Sequence, residues 1–375
     1  MSVLVALALL AQNDKTQANG YDDAWETAWV TRCRVVYNGG AGKNDGMVLQ
    51  IGDSITYSNP YGQWPRNGAG KTAEDNAVTV WCGANTTFPA GLDATSTNGF
   101  YLCAVDVPSS NRSMTAASGI TAAEYLSGAG NGATAMPSTT DTATARGYVT
   151  SSSYGGNLHI TTVAAAFANA RFAVVMLGTN DAGANRPAVD VANDLGAIVD
   201  VLEGRNIVVI LSTIPPRSDR DVSAINTQIR SLAQTRGLPL IDYYAEILAR
   251  RSGTSWQGTL IGADGVHPTS VNSAADAYAG GDATAHRTGT NATSDGYLLR
   301  GWLTMQKLKE VKAYVVDGAN PPGTPPPGPP APPAPPAVGG TSDNDNGDGC
   351  SCGTIRARLP WVLALLGLPL LLRRR

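Results

Sequence analysis

The sequence predicts an α/β protein in which helices cover both faces of a five-stranded parallel sheet, giving a three-layer sandwich. Two observations lead to this fold class. Short apolar runs alternate along the chain with segments of helical spacing, and strands joined through helices pair in parallel by right-handed crossovers. The first apolar run, 47–51, suits a strand buried on both faces. It ends in Gly52-Asp53-Ser54, which predicts a sharp turn at the sheet edge.

The other elements follow in order. A strand-like segment, Arg34 to Tyr37, precedes the first strand. The segment 58–99 is rich in Gly, Asn, Thr and Pro, and we interpret it as a loop insertion, a kind of segment that often shapes substrate pockets. Further strands are expected at 100–107, 172–177, 206–213 and 238–243, and helices at 121–126, 159–170, 189–202, 222–235 and 297–314.

Composition narrows the class of protein. The 375 residues are 43% hydrophobic, enough for one domain of roughly 250 residues or more with tails. Charged residues make up 15% of the chain, the formal net charge is -3, and the two signs are mixed, which argues against a nucleic-acid partner. Neither an HExxH motif nor a cysteine–histidine cluster occurs, so no metal and no other cofactor is expected.

The N-terminal part of the chain divides into three segments. Residues 1–12 hold an apolar run that ends at Ala11, and we interpret them as a shortened signal peptide, although no basic residue precedes the run. A buried N-terminal strand is the alternative interpretation. Residues 13–45 form an extension, and 46–318 form the main domain.

The C-terminal part is not expected to join the core. Residues 319–349 are a proline-rich and acidic linker that should act as a stiff spacer. Residues 350–375 combine Cys350 and Cys352 with an apolar run, 359–372, and three arginines. This tail resembles the C-terminal sorting signals of myxobacterial surface proteins, which implies export, processing by a protease near the cysteines and retention at the cell surface or outer membrane. A short membrane anchor is the alternative.

Three cysteines lie in the body of the chain. Cys82 and Cys103 flank one loop-rich stretch and could form a disulfide worth roughly 3 kcal/mol in an oxidising compartment. On spacing alone, three buried thiols that include Cys33 explain the pattern equally well.

The chain has three histidines, so the search for a catalytic base is short. His159 opens a predicted helix and is interpreted as structural, and His286 lies in a Gly-, Thr- and Ala-rich stretch and is interpreted as solvated. Asp264 stands three residues before His267 and could accept a hydrogen bond from its Nδ1, which fixes the tautomer and leaves Nε2 free to take a proton from a serine. Pro268 favours an extended backbone at His267. An isolated pair of this kind is more typical of a loop salt bridge.

Four blocks occur in order along the chain: Gly52-Asp53-Ser54, Gly119, Gly178-Thr179-Asn180-Asp181 and Asp264-Gly265-Val266-His267-Pro268. Their order and content resemble those of the SGNH (GDSL) hydrolase superfamily over residues 46–317. The resemblance implies a flavodoxin-like fold, with Ser54 as nucleophile, His267 as general base and then acid, and Asp264 as the carboxylate that orients the imidazole. It also implies an oxyanion hole formed by the backbone N–H groups of Ser54 and Gly119 and the side-chain amide of Asn180.

Other positions near these blocks allow more than one interpretation. The gap between Ser54 and Gly119 is longer than the usual family spacing, and Gly155 and Gly156 are alternatives to Gly119. Gly119 is preferred because the residues around it resemble the family's turn into a helix. Asp53 and Asp181 are expected to brace the site through backbone hydrogen bonds.

These patterns predict a serine esterase that hydrolyses short acyl esters, plausibly acetyl groups on carbohydrate, through an acyl-enzyme intermediate. The segment from Ile214 to Arg217 is expected to border the pocket, where Arg217 could contact a polar substrate or simply stiffen a turn. The alternatives are a lipase, lysophospholipase or thioesterase of the same superfamily, or a surface binding module without catalysis.

Overall fold

A parallel sheet organises the part of the chain that the computed structural model describes. The described residues are 20–57, 59–62, 64–65, 68–84, 115–128, 159–270, 281–287 and 295–322, and they belong to one compact unit, Met1–Pro326. Within these ranges the sheet has four strands in the order β1-β2-β3-β4, all parallel. The strands are β1 (Asn44–Gly52), β2 (Ala170–Met176), β3 (Val208–Ser212) and β4 (Leu240–Ile241).

The sheet confirms the predicted α/β class and explains the apolar runs. Every residue of β2 and β3 is buried, because helices cover the sheet and leave no solvated face. The register pairs Ile51 with Val175, so the carboxyl ends of β1 and β2 meet at one edge. The expected strand 100–107 lies outside the described residues, but Ala116 forms a parallel bridge to Gly52.

Helices connect the strands, and those expected from helical spacing are present with small changes at their ends. The α-helices are α1 (Glu26–Gly39), α2 (Ser54–Tyr57), α3 (Ala73–Ala84), α4 (Ala122–Ser127), α5 (Ile160–Ala166), α6 (Thr179–Gly183), α7 (Ala188–Glu203), α8 (Ser223–Arg236), α9 (Tyr243–Arg250), α10 (Thr284–Arg287) and α11 (Gly296–Val311). A 3-10 helix, Gly20–Trp25, precedes α1, and a π-helical turn, Lys312–Val316, follows α11.

The strand-like interpretation of Arg34 to Tyr37 was wrong, because these residues belong to α1. The β-branched pair in this segment suggested a strand, but the buried side chains Trp29, Val30 and Cys33 recur at helical spacing. Packing of this face on the core, including the Trp29 ring 5.9 Å from that of Tyr314, outweighs the local strand propensity.

The interpretation of 58–99 as a loop insertion was wrong for Ala73–Ala84, because these residues form α3. The Asp75 N–H donates to Thr72 Oγ1 (3.1 Å) and the Thr72 N–H donates to Asp75 Oδ2 (2.9 Å), so the helix begins with a reciprocal cap. Val78 and Cys82 then bury one face of the helix against the core. Cys33 is also buried, whereas Cys103 lies outside the described residues, so the pairing of Cys82 stays a prediction. None of the described helices is long and apolar enough to cross a membrane.

Candidate active site

The nucleophile turn joins β1 to α2. Ser54 is the first residue of α2, and Gly52 is the last residue of β1. A Cβ atom on Gly52 would lie 2.8 Å from the Met176 carbonyl oxygen and would collide with the Thr56 side chain. Only glycine therefore lets the turn close against β2, which places Ser54 at the carboxyl edge of the sheet.

A chain of two hydrogen bonds links Ser54 to the loop between α9 and α10. Ser54 Oγ lies 2.9 Å from His267 Nε2, although 213 positions separate the two residues along the chain. His267 Nδ1 lies 2.5 Å from Asp264 Oδ2. A hydroxyl, an imidazole and a carboxylate in this order can transfer a proton from the serine while the carboxylate holds the ring orientation.

The backbone of the 262–268 loop holds Asp264 in place. Its Oδ1 accepts hydrogen bonds from the N–H groups of Val266 and His267, both at 3.0 Å. The Gly262 N–H donates to the His267 carbonyl oxygen (2.7 Å), which closes the loop. Partial burial acts to raise the pKa of Asp264, but the hydrogen bonds from Val266 and His267 outweigh it and leave that pKa below its ordinary value. Asp264 is therefore held as a carboxylate beside the imidazole.

Asn180 and Gly119 lie in segments that contact each other. Asn180 Nδ2 donates to the Ile120 carbonyl oxygen (3.0 Å), and the Ala122 N–H donates to Asp181 Oδ2 (2.9 Å). Gly119 has a φ of +81°, which favours glycine at this turn. The Ala117 N–H donates to the Gly52 carbonyl oxygen (3.1 Å), so this segment also contacts the end of β1.

The comparison with protein-family models agrees with this geometry. The model described as GDSL-like Lipase/Acylhydrolase family matches residues 113–271. The chain therefore contains a GDSL-like hydrolase domain. Asn180 and His267 fall inside the matched range, whereas Ser54 precedes it and is joined to it by the structure. This serine hydrolase matches no curated protein and no solved structure in the other two comparisons.

Asp181 of the hydrolase accepts a backbone hydrogen bond, as expected, and also pairs with an arginine. Its Oδ1 lies 2.5 Å from a guanidinium nitrogen of Arg186, and Arg186 also bonds Asp194 (2.7 Å). Burial raises the pKa of Asp181, although the Ala122 N–H and Arg186 act in the opposite direction. These bonds run to α4 and to the residues around α6, so Asp181 joins these two segments.

Asp53 lies directly before the nucleophile and is fully buried. Its Oδ1 accepts a hydrogen bond from the Ile55 N–H (3.0 Å), as expected. Its Oδ2 has no hydrogen-bond partner among the described residues. Burial raises the pKa of Asp53 to about 6, against the lowering effects of the Ile55 N–H, Arg300 and His267.

Arg300 is a site residue that the sequence analysis missed. It lies on α11 with 1% of its surface exposed. Its Nη1 donates to the Ile55 carbonyl oxygen (2.9 Å) and its Nη2 donates to Thr56 Oγ1 (2.7 Å). The guanidinium also lies 3.7 Å from the centre of the Tyr61 ring. No local motif marks this arginine, because these contacts lie 239 to 245 positions away in the chain.

The other two histidines of the hydrolase do not enter the hydrogen-bond chain. His159 precedes α5 and lies 2.5 Å from Thr162 Oγ1, which fits a structural role. The interpretation of His286 as solvated was wrong, because it is 1% exposed and stacks on Trp302. Burial, with the nearby Arg250, lowers the pKa of His286 to about 3. The Gly- and Thr-rich sequence around His286 suggested a side chain exposed to solvent, but α11 packs against its ring.

One group of carboxylates has spacing that suits a metal ion. Ligand oxygens of Asp23, Glu26 and Glu310 lie within 4.8 Å of one another in the described part of the hydrolase. The Lys307 ammonium lies 2.5 Å from Glu310 Oε2 and already supplies a positive charge there. These carboxylates belong to the 3-10 helix before α1, to α1 and to α11, and none of them belongs to the turn at Ser54.

Proposed function

We propose that this hydrolase is a serine esterase that removes short acyl groups, plausibly acetyl, from carbohydrate through an acyl-enzyme intermediate. The observation that carries the proposal is the pair of contacts from Ser54 Oγ to His267 Nε2 (2.9 Å) and from His267 Nδ1 to Asp264 Oδ2 (2.5 Å). A serine hydroxyl is a weak nucleophile, and a base within hydrogen-bond reach activates it.

The first half of the reaction acylates the serine. Ser54 Oγ attacks the carbonyl carbon of the ester while its proton moves to His267 Nε2. Asp264 stabilises the imidazolium through Nδ1. The tetrahedral intermediate collapses, the C–O bond to the alcohol breaks, and His267 Nε2 returns the proton to the departing oxygen. The second half repeats these steps with water as the nucleophile and releases the acid.

The negative oxygen of the intermediate needs preorganised donors. The proposal assigns this role to the N–H groups of Ser54 and Gly119 and to the amide of Asn180. An asparagine amide has two N–H bonds, and the one bonded to the Ile120 carbonyl oxygen holds the group still while the other is available to the oxyanion. Removal of one such donor typically costs about 3 kcal/mol of barrier.

The surface of the described residues favours a polar substrate over a lipid. The exposed large hydrophobic side chains in these ranges are three valines, Val35, Val80 and Val189. They lie on α1, α3 and α7, so they do not follow one another along a single element. A lipase that works at a lipid surface would need a contiguous apolar patch.

A fluorophosphonate reporter and two esters test the proposal. The wild type should label covalently and hydrolyse 4-nitrophenyl acetate faster than 4-nitrophenyl octanoate, because the proposal assigns a short acyl group. Ser54→Ala should lose both labelling and turnover, while its circular dichroism spectrum stays that of the wild type. Faster hydrolysis of the octanoate would favour the lipase alternative, and no labelling of the folded wild type would favour a binding module.

The proposal includes action outside the cell, with the protein held at the surface. The support is the sequence of the two ends: an apolar run within 1–12, and the linker and sorting-type tail from 319 to 375. Both ends lie outside the described residues. Protease treatment of intact producing cells should remove the esterase activity, and deletion of 350–375 should move it to the medium. Activity that stays protected in intact cells would contradict this part.

A further inference from the structure

A cavity of about 440 Å³ opens at the carboxyl edge of β3 and β4. This volume lies within the range of small-molecule binding sites. We call it the Arg217 cavity, and it is lined by the segment between β3 and α8, by α9, and by the loop after α9. Its lining includes Arg217, Arg220, Asp221, Tyr244, Ser252 and Trp256.

The wall of this cavity contacts the catalytic loops directly. Arg217 Nη1 donates to the carbonyl oxygen of Thr179 (2.9 Å), the residue before Asn180. The next residue, Ser218, donates its N–H to the Gly265 carbonyl oxygen (2.9 Å), next to Asp264. The Arg217 cavity therefore adjoins the loop that carries Asp264 and His267.

The charges in the cavity are already compensated. Arg217 and Arg220 both pair with Asp219, at 2.8 and 3.1 Å. Arg220 also donates to the Ala182 carbonyl oxygen (2.8 Å), and Asp221 accepts from the Ser223 N–H (2.7 Å). Guanidinium groups that are held in ion pairs offer little net charge to a phosphate or carboxylate ligand. This argues for a neutral ligand.

The side chains around these pairs suit a sugar ring. Tyr244, which is half-buried, supplies aromatic surface of the kind that packs on the C–H faces of a ring; Trp256 also lines the cavity, with 6% of its surface exposed. Arg220 and Asp221 supply planar donor and acceptor groups that match neighbouring hydroxyls. A straight acyl chain would contact only the apolar part of the lining and would make no use of the polar side chains there.

We propose that the Arg217 cavity binds a sugar unit next to the one that carries the ester at Ser54. The substrate is then an acylated oligosaccharide or polysaccharide rather than a single acylated sugar. This inference rests on the esterase function proposed above. It makes the cavity a determinant of specificity, separate from the residues that perform the chemistry.

A blocking substitution tests the inference. Ser252 is exposed at the cavity wall, so Ser252→Trp fills the space without removing a buried side chain. Thr254→Trp is the matched control, because Thr254 is exposed on the same loop and does not line the cavity. The measurement is kcat/KM for acetylated xylotetraose divided by kcat/KM for acetylated methyl xyloside. Ser252→Trp should lower this ratio about tenfold or more, and Thr254→Trp should leave it at the wild-type value.

The outcomes distinguish a failure of this inference from a failure of the proposed esterase function. If the wild type hydrolyses both esters and Ser252→Trp keeps the wild-type ratio, the subsite is wrong and the esterase stands. If Ser252→Trp instead lowers the hydrolysis of octanoyl relative to acetyl nitrophenyl esters, the cavity holds an acyl chain and the inference is overturned. If the folded wild type hydrolyses no ester and Ser54 is not labelled, the proposed function fails and the subsite fails with it.

Discussion

Arg300 donates a hydrogen bond of 2.9 Å to the carbonyl oxygen of Ile55, the residue after Ser54, although Arg300 lies on the last α-helix and Ile55 follows the first strand. The contact is buried, so water cannot replace it. The position of Ser54 Oγ relative to His267 therefore depends on the packing of α11 against the nucleophile turn.

Arg300→Met should remove the coupling between α11 and the nucleophile turn. We expect the free energy of unfolding to fall by about 2 kcal/mol, because the Ile55 carbonyl and Thr56 hydroxyl lose a buried partner. The kcat for 4-nitrophenyl acetate should fall about tenfold with little change in KM, because Ser54 is displaced while the acyl site is kept. Arg300→Lys should recover part of kcat, since an ammonium can still donate. A loss of stability with wild-type kcat in Arg300→Met would show that the contact is only structural.

Asn180 and Asn226 form a matched pair for testing the oxyanion hole. Each donates from Nδ2 to a backbone carbonyl oxygen at 3.0 Å, Asn180 to Ile120 and Asn226 to Ile214. Asn180→Ala should lower kcat on the order of 100- to 1000-fold, because it removes a donor to the negative oxygen. Asn226→Ala should mainly lower the free energy of unfolding, because Asn226 is fully buried behind the site. Urea unfolding and kcat for both variants test this, and similar kcat losses would refute the assignment.

Asp53 should make stability depend on pH. Its pKa of about 6 in the folded protein lies above the ordinary value of 3.8, so folding disfavours the carboxylate. The penalty is absent below the ordinary pKa, grows as the pH rises from about 4 to about 6, and is complete above that. Asp53→Asn keeps an acceptor for the Ile55 N–H and removes this penalty.

The test compares melting temperatures at pH 4.5 and pH 7.5. The wild type should lose more stability between these values than Asp53→Asn does. Asp221→Asn is the control, because its carboxylate is exposed and its pKa is lowered by the Ser223 hydrogen bonds. Equal changes in the wild type and Asp53→Asn would mean that the Asp53 carboxylate is compensated in the folded state.

A buried ion pair connects the 3-10 helix before α1 to α11. Lys307 Nζ, fully buried, lies 2.8 Å from Asp22 Oδ1, and Asp22 Oδ2 accepts from the Leu240 N–H of β4 (2.8 Å). Lys307→Met should lower the free energy of unfolding by about 3–5 kcal/mol, because carboxylates remain buried without their cation. Adding Asp22→Asn should restore part of the loss.

Lys312→Met is the control for this pair. Its ammonium bonds the exposed Asp317 (2.7 Å), so its removal should cost less than about 1 kcal/mol. Chemical denaturation of the four proteins measures these differences. Equal effects of Lys307→Met and Lys312→Met would contradict the assignment of a buried pair.

The site residues differ in how well they could be predicted from the sequence. Asp264 and His267 are three residues apart in a loop that folds on itself. Their contact is therefore local and can be predicted from their spacing in the sequence. The turn at Ser54 follows a strand whose burial shows in its composition. The structure brings these segments together, and the catalytic roles stay predictions until they are tested. Gly119 is placed beside Asn180 through Ile120, whereas Gly155 and Gly156 lie outside the described residues.

The interpretations that failed share a physical cause. Arg34 to Tyr37 has local strand propensity, but the burial of Trp29 and Cys33 on a helix face contributes more to the free energy of folding. His286 has polar and small neighbours in sequence, yet its ring packs on Trp302. In both cases the deciding contact involves a residue that local pattern does not reveal.

The linear pattern was enough to predict the α/β class, the parallel strands at the centre, and the serine, histidine and aspartate to which the proposed chemistry is assigned. Strand burial, turn chemistry and the Asp264–His267 spacing are local properties, so a linear pattern contains them. The contact of Arg300 with the nucleophile turn, the burial of His286 and the position of the Arg217 cavity beside the catalytic loop could be found only in the folded structure. These depend on packing between segments that are distant in the chain, where burial and charge compensation arise only once the sheet and helices have assembled.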